Sequence, residues 1–384
     1  MNRFLSLALA ALLLAPCVSA ADLPASAAPS GPETAAASAV LMEKESGAVL
    51  YEKDARQKLE PASVTKIMTL LLVMEAVDSG RLAAEDLVTV SARAASMGGS
   101  QVYLKENEQM TVHDLLKAVA VASGNDASVA LAEHLAGSED AFVAQMNQRA
   151  AELGMADTCF LNCTGLPASG HLTSAHDIAL MSRELILNHP RIRDYTTIWM
   201  DSLRDGQFQL ANTNKLIRFY EGATGLKTGF TDAAGYCMSA TAERDGMELI
   251  AVILKSSTRD IRNEAAKSLL SYGFANYTLM DVYPGQALPP IDVLLGEREQ
   301  VQPVLAQSSR ILVDKSQVNA VTTQVSLCED VEAPVEAGQK LGEMAVSIGG
   351  EPLQTIPIVA GEAVERITIP GIFSRLLRNL FMAG

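Results

Sequence analysis

The sequence predicts an α+β domain over residues 38–280, followed by a small all-β domain over residues 285–370. Strand-like apolar runs stand at both ends of the first segment and helical patterns lie between them, so its sheet must be assembled from distant parts of the chain. In the second segment, short apolar runs alternate with turns rich in Gly and Pro, as in small all-β domains. The chain has 384 residues, which is room for about two domains.

The start of the chain, residues 1–20, is predicted to be a secretory signal. Arg3 provides a positive beginning, an apolar run continues as far as Leu14, and residues 18–20 are small, as a signal peptidase requires. Because the apolar run is too short to span a bilayer, cleavage and export are favoured over an uncleaved anchor. Residues 21–37, rich in Ala, Pro and Ser, are expected to form a flexible leader.

The first domain opens with a predicted hairpin at residues 40–51, where two apolar runs flank a Glu-Ser-Gly turn. Pro61 then stands just before an uncharged apolar run at 67–74, which indicates a buried helix because proline suits a first turn. Residues 112–135 show two more helical stretches, interrupted at 123–125.

The remainder of this domain alternates between helix and strand patterns. Apolar residues recur at helical spacing over 175–187, which predicts a helix. Apolar runs at 236–242 and 247–255 flank an Asp-Gly pair, which is typical of a tight hairpin. A final helix is expected at 263–272. The predicted strands of the second domain include residues 311–313, 318–325, 341–348 and 356–358.

The last residues, 371–384, predict a short amphipathic helix. A helix of this length cannot cross a bilayer but can lie in its surface, where Arg375 and Arg378 on the polar face suit anionic headgroups. We therefore expect attachment to a membrane surface. Packing on its own domain or on a second copy of the chain is the alternative.

Charge and cysteine content exclude several classes of protein. The net charge of −15 makes nucleic acid a poor partner, since binding to phosphates needs a face rich in Lys and Arg. Four cysteines follow the predicted signal, too few for a disulfide scaffold and without the histidine spacing of a zinc site. We expect buried, isolated thiols and no metal. These cysteines are Cys159, Cys163, Cys237 and Cys328.

Ser63 and Lys66 form an S-x-x-K motif at the predicted start of a helix, where residues three apart share a face. An ordinary lysine, with a pKa of about 10.4, is protonated and cannot act as a base. Burial and a second cation, for which Lys227 is the candidate, would lower that pKa and let the amine take the serine proton. The alternative is a capping serine and a solvated lysine, but the apolar residues that follow place this lysine in a buried element.

A second motif, Ser123-Gly124-Asn125, interrupts two apolar helices. All three residue types also favour an interhelical turn with caps, which is the structural alternative. In the functional interpretation, Ser123 passes a proton to a leaving amine, and Asn125 holds a substrate amide and Lys66.

The third motif is Lys227-Thr228-Gly229, for which we predict an edge strand. There, Lys227 and Thr228 would bind the terminal carboxylate of an extended peptide, and Gly229 would leave room for its approach. The backbone N–H groups of Phe230 and Ser63 would form an oxyanion hole. The structural alternative is a lysine that protects a strand edge from aggregation.

Together with the segments around them, these motifs resemble the serine D-alanyl-D-alanine carboxypeptidases, the low-molecular-mass penicillin-binding proteins. The resemblance covers nearly all of the chain after the predicted signal. A departure from some members is Phe230, where they have histidine. The segments that carry the resemblance are Glu60–Thr69, Ala95–Gln101, Asn162–Pro167 and Thr173–Asp177.

The resemblance implies a β-lactamase/DD-peptidase-like fold, in which helices and a helical subdomain flank an antiparallel sheet. It implies that Ser63 is the acylated nucleophile, with Lys66 as its base and Lys227 as the carboxylate binder. Ser123 and Asn125 would form the second catalytic element. The substrate would be a peptidoglycan stem peptide ending in D-Ala-D-Ala, β-lactams would be covalent inhibitors, and no cofactor would be needed. The enzyme would work at the outer face of the cytoplasmic membrane or in the cell wall.

The sequence disfavours three other functions. A serine β-lactamase on the same fold needs a carboxylate that activates water; Glu184 matches an E-x-x-L-N pattern but is expected on a solvated helix face. Such enzymes also usually carry aspartate at the position of Gly124. A catalytically silent wall-binding protein is disfavoured because all the reactive side chains are present. A Ser-His-Asp hydrolase lacks a G-x-S-x-G segment.

Overall fold

The computed structural model describes residues 31–306 and 309–382. The predicted signal, residues 1–20, lies outside the described residues, as does most of the predicted leader. Packing begins before the first strand: Ala36 is buried, and Lys53 Nζ donates to the carbonyl oxygens of Thr34 and Ala36, at 2.8 and 2.9 Å.

The helices and strands of the described residues have the following bounds. The α-helices are α1 (Lys66–Asp78), α2 (Ala92–Ala95), α3 (Val112–Ala122), α4 (Asn125–Ala136), α5 (Glu139–Glu152), α6 (Ala175–Asn188), α7 (Arg193–Thr196), α8 (Leu216–Phe219), α9 (Arg259–Asn276) and α10 (Ile369–Met382). Short 3-10 helices lie at Ala62–Thr65, Pro190–Ile192 and Lys315–Ala320. The strands before α9 are β1 (Ser38–Glu43), β2 (Val49–Lys53), β3 (Leu87–Thr89), β4 (Gln109–Thr111), β5 (Met200–Leu203), β6 (Phe208–Ala211), β7 (Ala223–Thr231), β8 (Gly235–Arg244) and β9 (Met247–Ser256). The later strands are β10 (Tyr277–Asp281), β11 (Ile291–Leu294), β12 (Gln300–Val301), β13 (Pro303–Leu305), β14 (Arg310–Asp314), β15 (Val321–Leu327), β16 (Asp330–Glu332), β17 (Lys340–Ile348) and β18 (Glu351–Ala360).

The central antiparallel sheet has the strand order β2-β1-β9-β8-β7. The N-terminal hairpin thus pairs with β9, more than 200 residues further along the chain, as the sequence predicted. Alternate residues of each strand enter two separate cores: Leu41 packs on the side of α9, and Val40 on the side of α1 and α6. Strand β7 lies at the edge, which leaves one of its sides open for a ligand.

The predicted Asp-Gly hairpin between β8 and β9 is confirmed. Asp245 and Gly246 both have positive φ angles, 51° and 75°, as a two-residue turn between twisted strands requires. Helix α9 begins four residues before its predicted start because the Thr258 side chain accepts a hydrogen bond from the N–H of Ile261. Helix α5 was not predicted from the sequence. It is largely polar and buries only Phe142, Met146 and Ala150, at i, i+4 and i+8.

The C-terminal part contains the predicted small β-structure. Its sheets have the orders β13-β18-β17-β15, β12-β11-β16 and β10-β14. The strand predicted over 318–325 begins only at Val321, because a 3-10 helix occupies the residues before it.

The four cysteines were all expected to be buried thiols. Cys163 and Cys237 are buried, whereas Cys159 and Cys328 are exposed, and none of the four forms a disulfide.

Helix α10 begins at Ile369, two residues before the predicted boundary. Its Arg375 was expected to face lipid headgroups, but its Nη2 donates to the carbonyl oxygens of Gly296 and Glu297, each at 2.8 Å. That arginine therefore ties the helix to the β-structure. Within the described ranges, the chain forms no helix with the length and apolar character needed to cross a membrane.

Candidate active site

Ser63 lies on the 3-10 turn that leads directly into α1, so it and Lys66 are one turn apart as the sequence predicted. Lys66 is completely buried. Its Nζ lies 2.9 Å from Ser63 Oγ, 2.6 Å from Asn125 Oδ1 and 2.7 Å from the carbonyl oxygen of Thr164. Three acceptors therefore surround this one nitrogen.

The surroundings of Lys66 suit both of its protonation states. As an ammonium group, it donates to all three oxygens. As a neutral amine, it donates to Asn125 and Thr164 and turns its lone pair to the hydroxyl of Ser63. Burial lowers the pKa of Lys66 to about 7, so the neutral form is well populated near neutral pH. A base is thus in hydrogen-bond contact with the candidate nucleophile.

Ser123 is the C-cap of α3 and Asn125 is the first residue of α4, and both are buried. Ser123 ends α3 in a left-handed conformation, with φ 63°, and lines the cleft beside Ser63. Its Oγ has no hydrogen-bond partner in the described part of the chain. Asn125 bonds Lys66 through Oδ1, and its Nδ2 donates to the carbonyl oxygen of Gly98 at 2.7 Å. The alternative of a simple interhelical turn leaves the unpaired Ser123 hydroxyl unexplained.

Strand β7 passes along the 3-10 turn that carries Ser63. A Cβ atom at Gly229 would lie 2.8 Å from the carbonyl oxygen of Pro61 and 3.0 Å from the backbone nitrogen of Ser63. Since real Cβ atoms do not approach backbone so closely, only glycine allows this contact. The next residue, Phe230, is 50% exposed, and its ring lies 4.4 Å from that of Tyr236 between centroids.

Lys227 is a buried residue of the same strand, and the next residue, Thr228, donates through Oγ1 to Thr213 Oγ1 at 2.8 Å. Burial, together with the charges of Lys66 and Arg262, holds the pKa of Lys227 well below its ordinary value. The expected effect of Lys227 on Lys66 is not found, because burial alone lowers the pKa of Lys66. Because a nearby anion raises a lysine pKa, a bound carboxylate would favour the charged form of Lys227.

Arg262 is a cation of the cleft that was not identified from the sequence. It lies one turn into α9 and is buried. Its guanidinium donates to Asn263 Oδ1 and to the carbonyl oxygen of Cys237, and no described carboxylate pairs with it. Burial lowers its pKa to about 10, so it remains charged at neutral pH.

A loop from Leu161 to His171 supplies the third acceptor of Lys66. Gly165, with φ 82°, lies so close to the 3-10 turn that a Cβ atom would overlap the carbonyl group of Ala62. His171 holds the loop to this turn: its Nδ1 accepts from the N–H of Leu161 at 3.0 Å, so its Nε2 carries the proton and donates to Thr65 Oγ1 at 2.9 Å. Both ring nitrogens are used only when the imidazole is neutral.

Acidification is therefore expected to destabilise the protein through His171. Burial lowers the pKa of His171 to about 4, against about 6.5 when unfolded, so the unfolded state binds more protons between these values. The free energy of unfolding should fall by about 2 kcal/mol between pH 7 and pH 5 from this residue. Denaturant titrations of wild type, His171→Gln and the exposed-site control His134→Gln would measure it. If His171→Gln loses as much stability as the control over this pH range, the assignment is wrong.

The groups described above surround a cleft of about 450 Å³. Its lining is made of hydroxyls, amides, aromatic rings and cations, and includes no carboxylate. Hydroxyls and cations of this kind do not form a metal site. The lining residues are Ser63, Ser100, Ser123, Asn212, Thr213, Lys215, Thr228, Gly229, Phe230, Tyr236, Arg259 and Arg262.

A group of side chains with metal-ligand chemistry lies outside this cleft, at Glu75, Glu184 and His189. Arg149 donates to Glu75 Oε1 at 2.7 Å and to Glu184 Oε1 at 2.6 Å, and His189 Nδ1 pairs with Asp78 at 2.6 Å. We interpret the group as an ion-pair network between helices. The expectation that Glu184 is on a solvated face was wrong: its side chain is 18% exposed and it is not part of the cleft lining.

The chain is similar in sequence to known proteins. The family model of D-alanyl-D-alanine carboxypeptidases matches residues 25–258, and that of the C-terminal domain of penicillin-binding protein 5 matches residues 282–366. D-alanyl-D-alanine carboxypeptidase DacF of Bacillus subtilis strain 168 is 42% identical over 336 residues, 86% of each chain.

Solved structures show the same fold. Penicillin-binding protein 5 from Haemophilus influenzae has a TM-score of 0.77 at 29% identity, with 88% of this chain and 100% of that chain covered. Penicillin-binding protein D2 from Listeria monocytogenes, in its ampicillin-bound form, has a TM-score of 0.58 at 33% identity, over 63% of this chain and 98% of that chain. The long sequence match and the shared two-part fold agree, and the chain belongs to the D-alanyl-D-alanine carboxypeptidase family, the low-molecular-mass penicillin-binding proteins.

Proposed function

We propose that this protein is a serine DD-carboxypeptidase that removes the terminal D-alanine from peptidoglycan stem pentapeptides through an acyl-enzyme on Ser63. One observation carries the proposal above the others: the hydroxyl of Ser63 lies 2.9 Å from the amine of a buried lysine whose pKa is about 7. A serine becomes a nucleophile at neutral pH when such a base takes its proton. The names of the relatives point to the same reaction.

Substrate binding is assigned to the cationic wall of the cleft. The terminal carboxylate of the peptide would contact Thr228 and Arg262, which both line the cleft. Arg262 supplies the permanent positive charge, and the buried Lys227 of β7 regains its proton as the carboxylate arrives. Since β7 is an edge strand, the peptide can lie along it in extended form.

Acylation then follows from the positions of the remaining groups. Ser63 Oγ attacks the carbonyl carbon between the two terminal D-alanines while Lys66 takes the hydroxyl proton. The backbone N–H groups of Ser63 and Phe230 stabilise the oxyanion, which the close approach of Gly229 to Ser63 permits. The unpaired hydroxyl of Ser123 gives its proton to the leaving nitrogen and receives in its place the proton that Lys66 took from Ser63, so that the C–N bond breaks, D-alanine departs, and Lys66 is again a neutral amine. Water hydrolyses the ester and restores Ser63.

β-Lactams are expected to acylate the same serine, because their ring amide presents a carbonyl next to a carboxylate-bearing group. The ring opens but the leaving nitrogen stays attached, so it blocks the path of water. The related Listeria protein was crystallised in an ampicillin-bound form. A β-lactamase function lacks comparable support, since the cleft lining includes no carboxylate that could activate water and Glu184 is held by Arg149.

The direct test of the proposal is mass spectrometry of the products from two synthetic pentapeptides that end in D-Ala-D-Ala, one as the free acid and one as the amide. The free acid should lose one alanine and the amide should be cleaved at least about 100-fold more slowly, because Arg262 and Lys227 then have no anion to bind. An enzyme that releases no alanine from the free acid contradicts the proposed activity. Equal cleavage of both peptides contradicts the carboxylate site alone.

We further propose that the enzyme acts outside the cytoplasm and that α10 attaches it to a membrane surface. Apolar side chains of α10 are open to solvent: Ile369, Phe373 and Phe381 are 84%, 64% and 82% exposed. When such exposed apolar side chains become buried in the lipid interface, the area they bury drives binding of the helix to the membrane surface. Full-length protein should sediment with vesicles of anionic lipid, and a chain that ends before Gly371 should remain in the supernatant. Sedimentation of both forms, or of neither, rules out this role for the helix.

A further inference from the structure

The charge of the cleft differs in sign from that of the whole protein. The chain carries a net charge of −15, yet the charged side chains that line the cleft are Lys215, Arg259 and Arg262. Acidic residues do occur close by. Asp260 belongs to the same helical turn as Arg259, and Asp232 is the residue directly after the end of β7. Neither lines the cleft itself, so its mouth presents a surplus of positive charge.

Two of these cations are free to meet a ligand. Lys215 and Arg259 are exposed, and neither forms an ion pair with any residue that the structure describes. Arg259 and the buried Arg262 are three residues apart on α9, so they lie on the same face of that helix, and both line the cleft. Lys215 is two residues after Thr213, whose hydroxyl accepts a hydrogen bond from Thr228 of β7. Both exposed cations are therefore placed around the deeper anion site without being part of it.

Exposed charges in this position act on a ligand before it reaches the catalytic groups. The range of a surface charge is about 10 Å at 0.1 M salt, which is enough to span the mouth of a cleft of this size. Clefts lined by charges of one sign raise the association rate of oppositely charged substrates by at least about tenfold. This increase in the association rate grows with each negative charge on the ligand. The effect therefore distinguishes a peptide with several free carboxylates from one in which they are amidated.

We propose that Lys215 and Arg259 form a cationic rim that makes the enzyme selective for multiply anionic peptides, those whose side-chain or α-carboxylates upstream of the D-Ala-D-Ala end are free rather than amidated. This inference rests on the proposed carboxypeptidase activity and adds the substrate class to it. The rim recruits the peptide electrostatically, while Ser63, Lys66 and Arg262 do the chemistry and hold the terminal carboxylate. Its effect therefore belongs to kcat/KM and not to kcat.

The experiment uses two synthetic pentapeptides that differ only in one upstream residue, γ-linked D-glutamate or its amide, D-isoglutamine, both ending in free D-Ala-D-Ala. Their kcat/KM ratio is measured for wild type, Lys215→Gln, Arg259→Gln and the double variant. Lys340→Gln is the matched control, because it removes one exposed charge from the C-terminal β-structure, away from the cleft. Each ratio is determined at 0.05 M and at 1 M salt.

Wild type should favour the glutamate peptide, and the double variant should lower this preference about tenfold at low salt, with each single variant in between. The control should keep the wild-type ratio, and high salt should remove the preference, since charges are then screened within about 3 Å. An unchanged ratio in the double variant, or an equal fall in Lys340→Gln, overturns the rim. Cleavage of neither peptide by wild type contradicts the proposed activity instead, so the two failures are distinguishable.

Discussion

Ser63→Ala is expected to lower carboxypeptidase kcat by about 10⁴-fold or more and to abolish covalent labelling by a fluorescent penicillin. The reason is that Ser63 is the cleft-lining hydroxyl that contacts a lysine amine, at 2.9 Å. Ser123 also lines the cleft, but its Oγ has no bonded base among the described residues. It cannot take over as a nucleophile at a comparable rate.

Ser271→Ala is the control for this substitution, because Ser271 lies on α9 and bonds Tyr220 at the protein surface. It should label at the wild-type rate. Gel fluorescence and intact-protein mass spectrometry before and after incubation with penicillin give the stoichiometry. An adduct that persists in Ser63→Ala would place the nucleophile elsewhere in the chain.

Lys66→Gln should retain the fold but reduce the acylation rate by about 10²- to 10⁴-fold, the range for loss of a general base. Glutamine keeps a donor for Asn125 and Thr164 but has no basic lone pair for Ser63. The pH profile carries the diagnostic information. In wild type, the acylation rate should rise about tenfold per pH unit below pH 7 and level off above it, since burial lowers the pKa of Lys66 to about 7 and the neutral amine is the active form.

The variant should lose this rise and give a flat profile through neutral pH. Lys117→Gln provides the comparison, since Lys117 is also a buried lysine but pairs with Asp114 and Asp201 outside the cleft. Stopped-flow measurements of penicillin acylation between pH 5 and pH 9 would establish both profiles. A Lys66→Gln enzyme with the wild-type pH dependence would show that another group is the base.

The parts of the site that local spacing determines could be predicted from the sequence. Ser63 and Lys66 fall on one helix face because they are three residues apart. The hairpin at Asp245-Gly246 was predictable because Asp-Gly is a preferred two-residue turn between antiparallel strands. The same holds for the break at residues 123–125, where Ser123 is the C-cap of one helix and Gly124 is the N-cap of the next.

Other contacts depend on the assembled fold and leave no local pattern. The carbonyl oxygen of Thr164 bonds Lys66 across 98 residues, and any residue type supplies such an oxygen. Arg262 gave no signal, because an arginine in a first helical turn is ordinarily solvated. The partial burial of Glu184 was also missed, because it depends on a distant partner. That partner, Arg149, lies 35 residues away on α5, a helix too polar to be recognised from the sequence.

The charge state of one amine is the basis of the whole mechanism, and it can be measured directly. Nitrogen NMR of the ¹⁵N-lysine-labelled protein, with Lys66→Gln to assign the resonance, gives the pKa of the Lys66 side chain. The buried environment of Lys66 predicts a value of about 7, low enough for the neutral amine to accept the proton of Ser63. A value near 10.4, the ordinary pKa of lysine, would mean that the amine is charged at neutral pH and would contradict its role as the base.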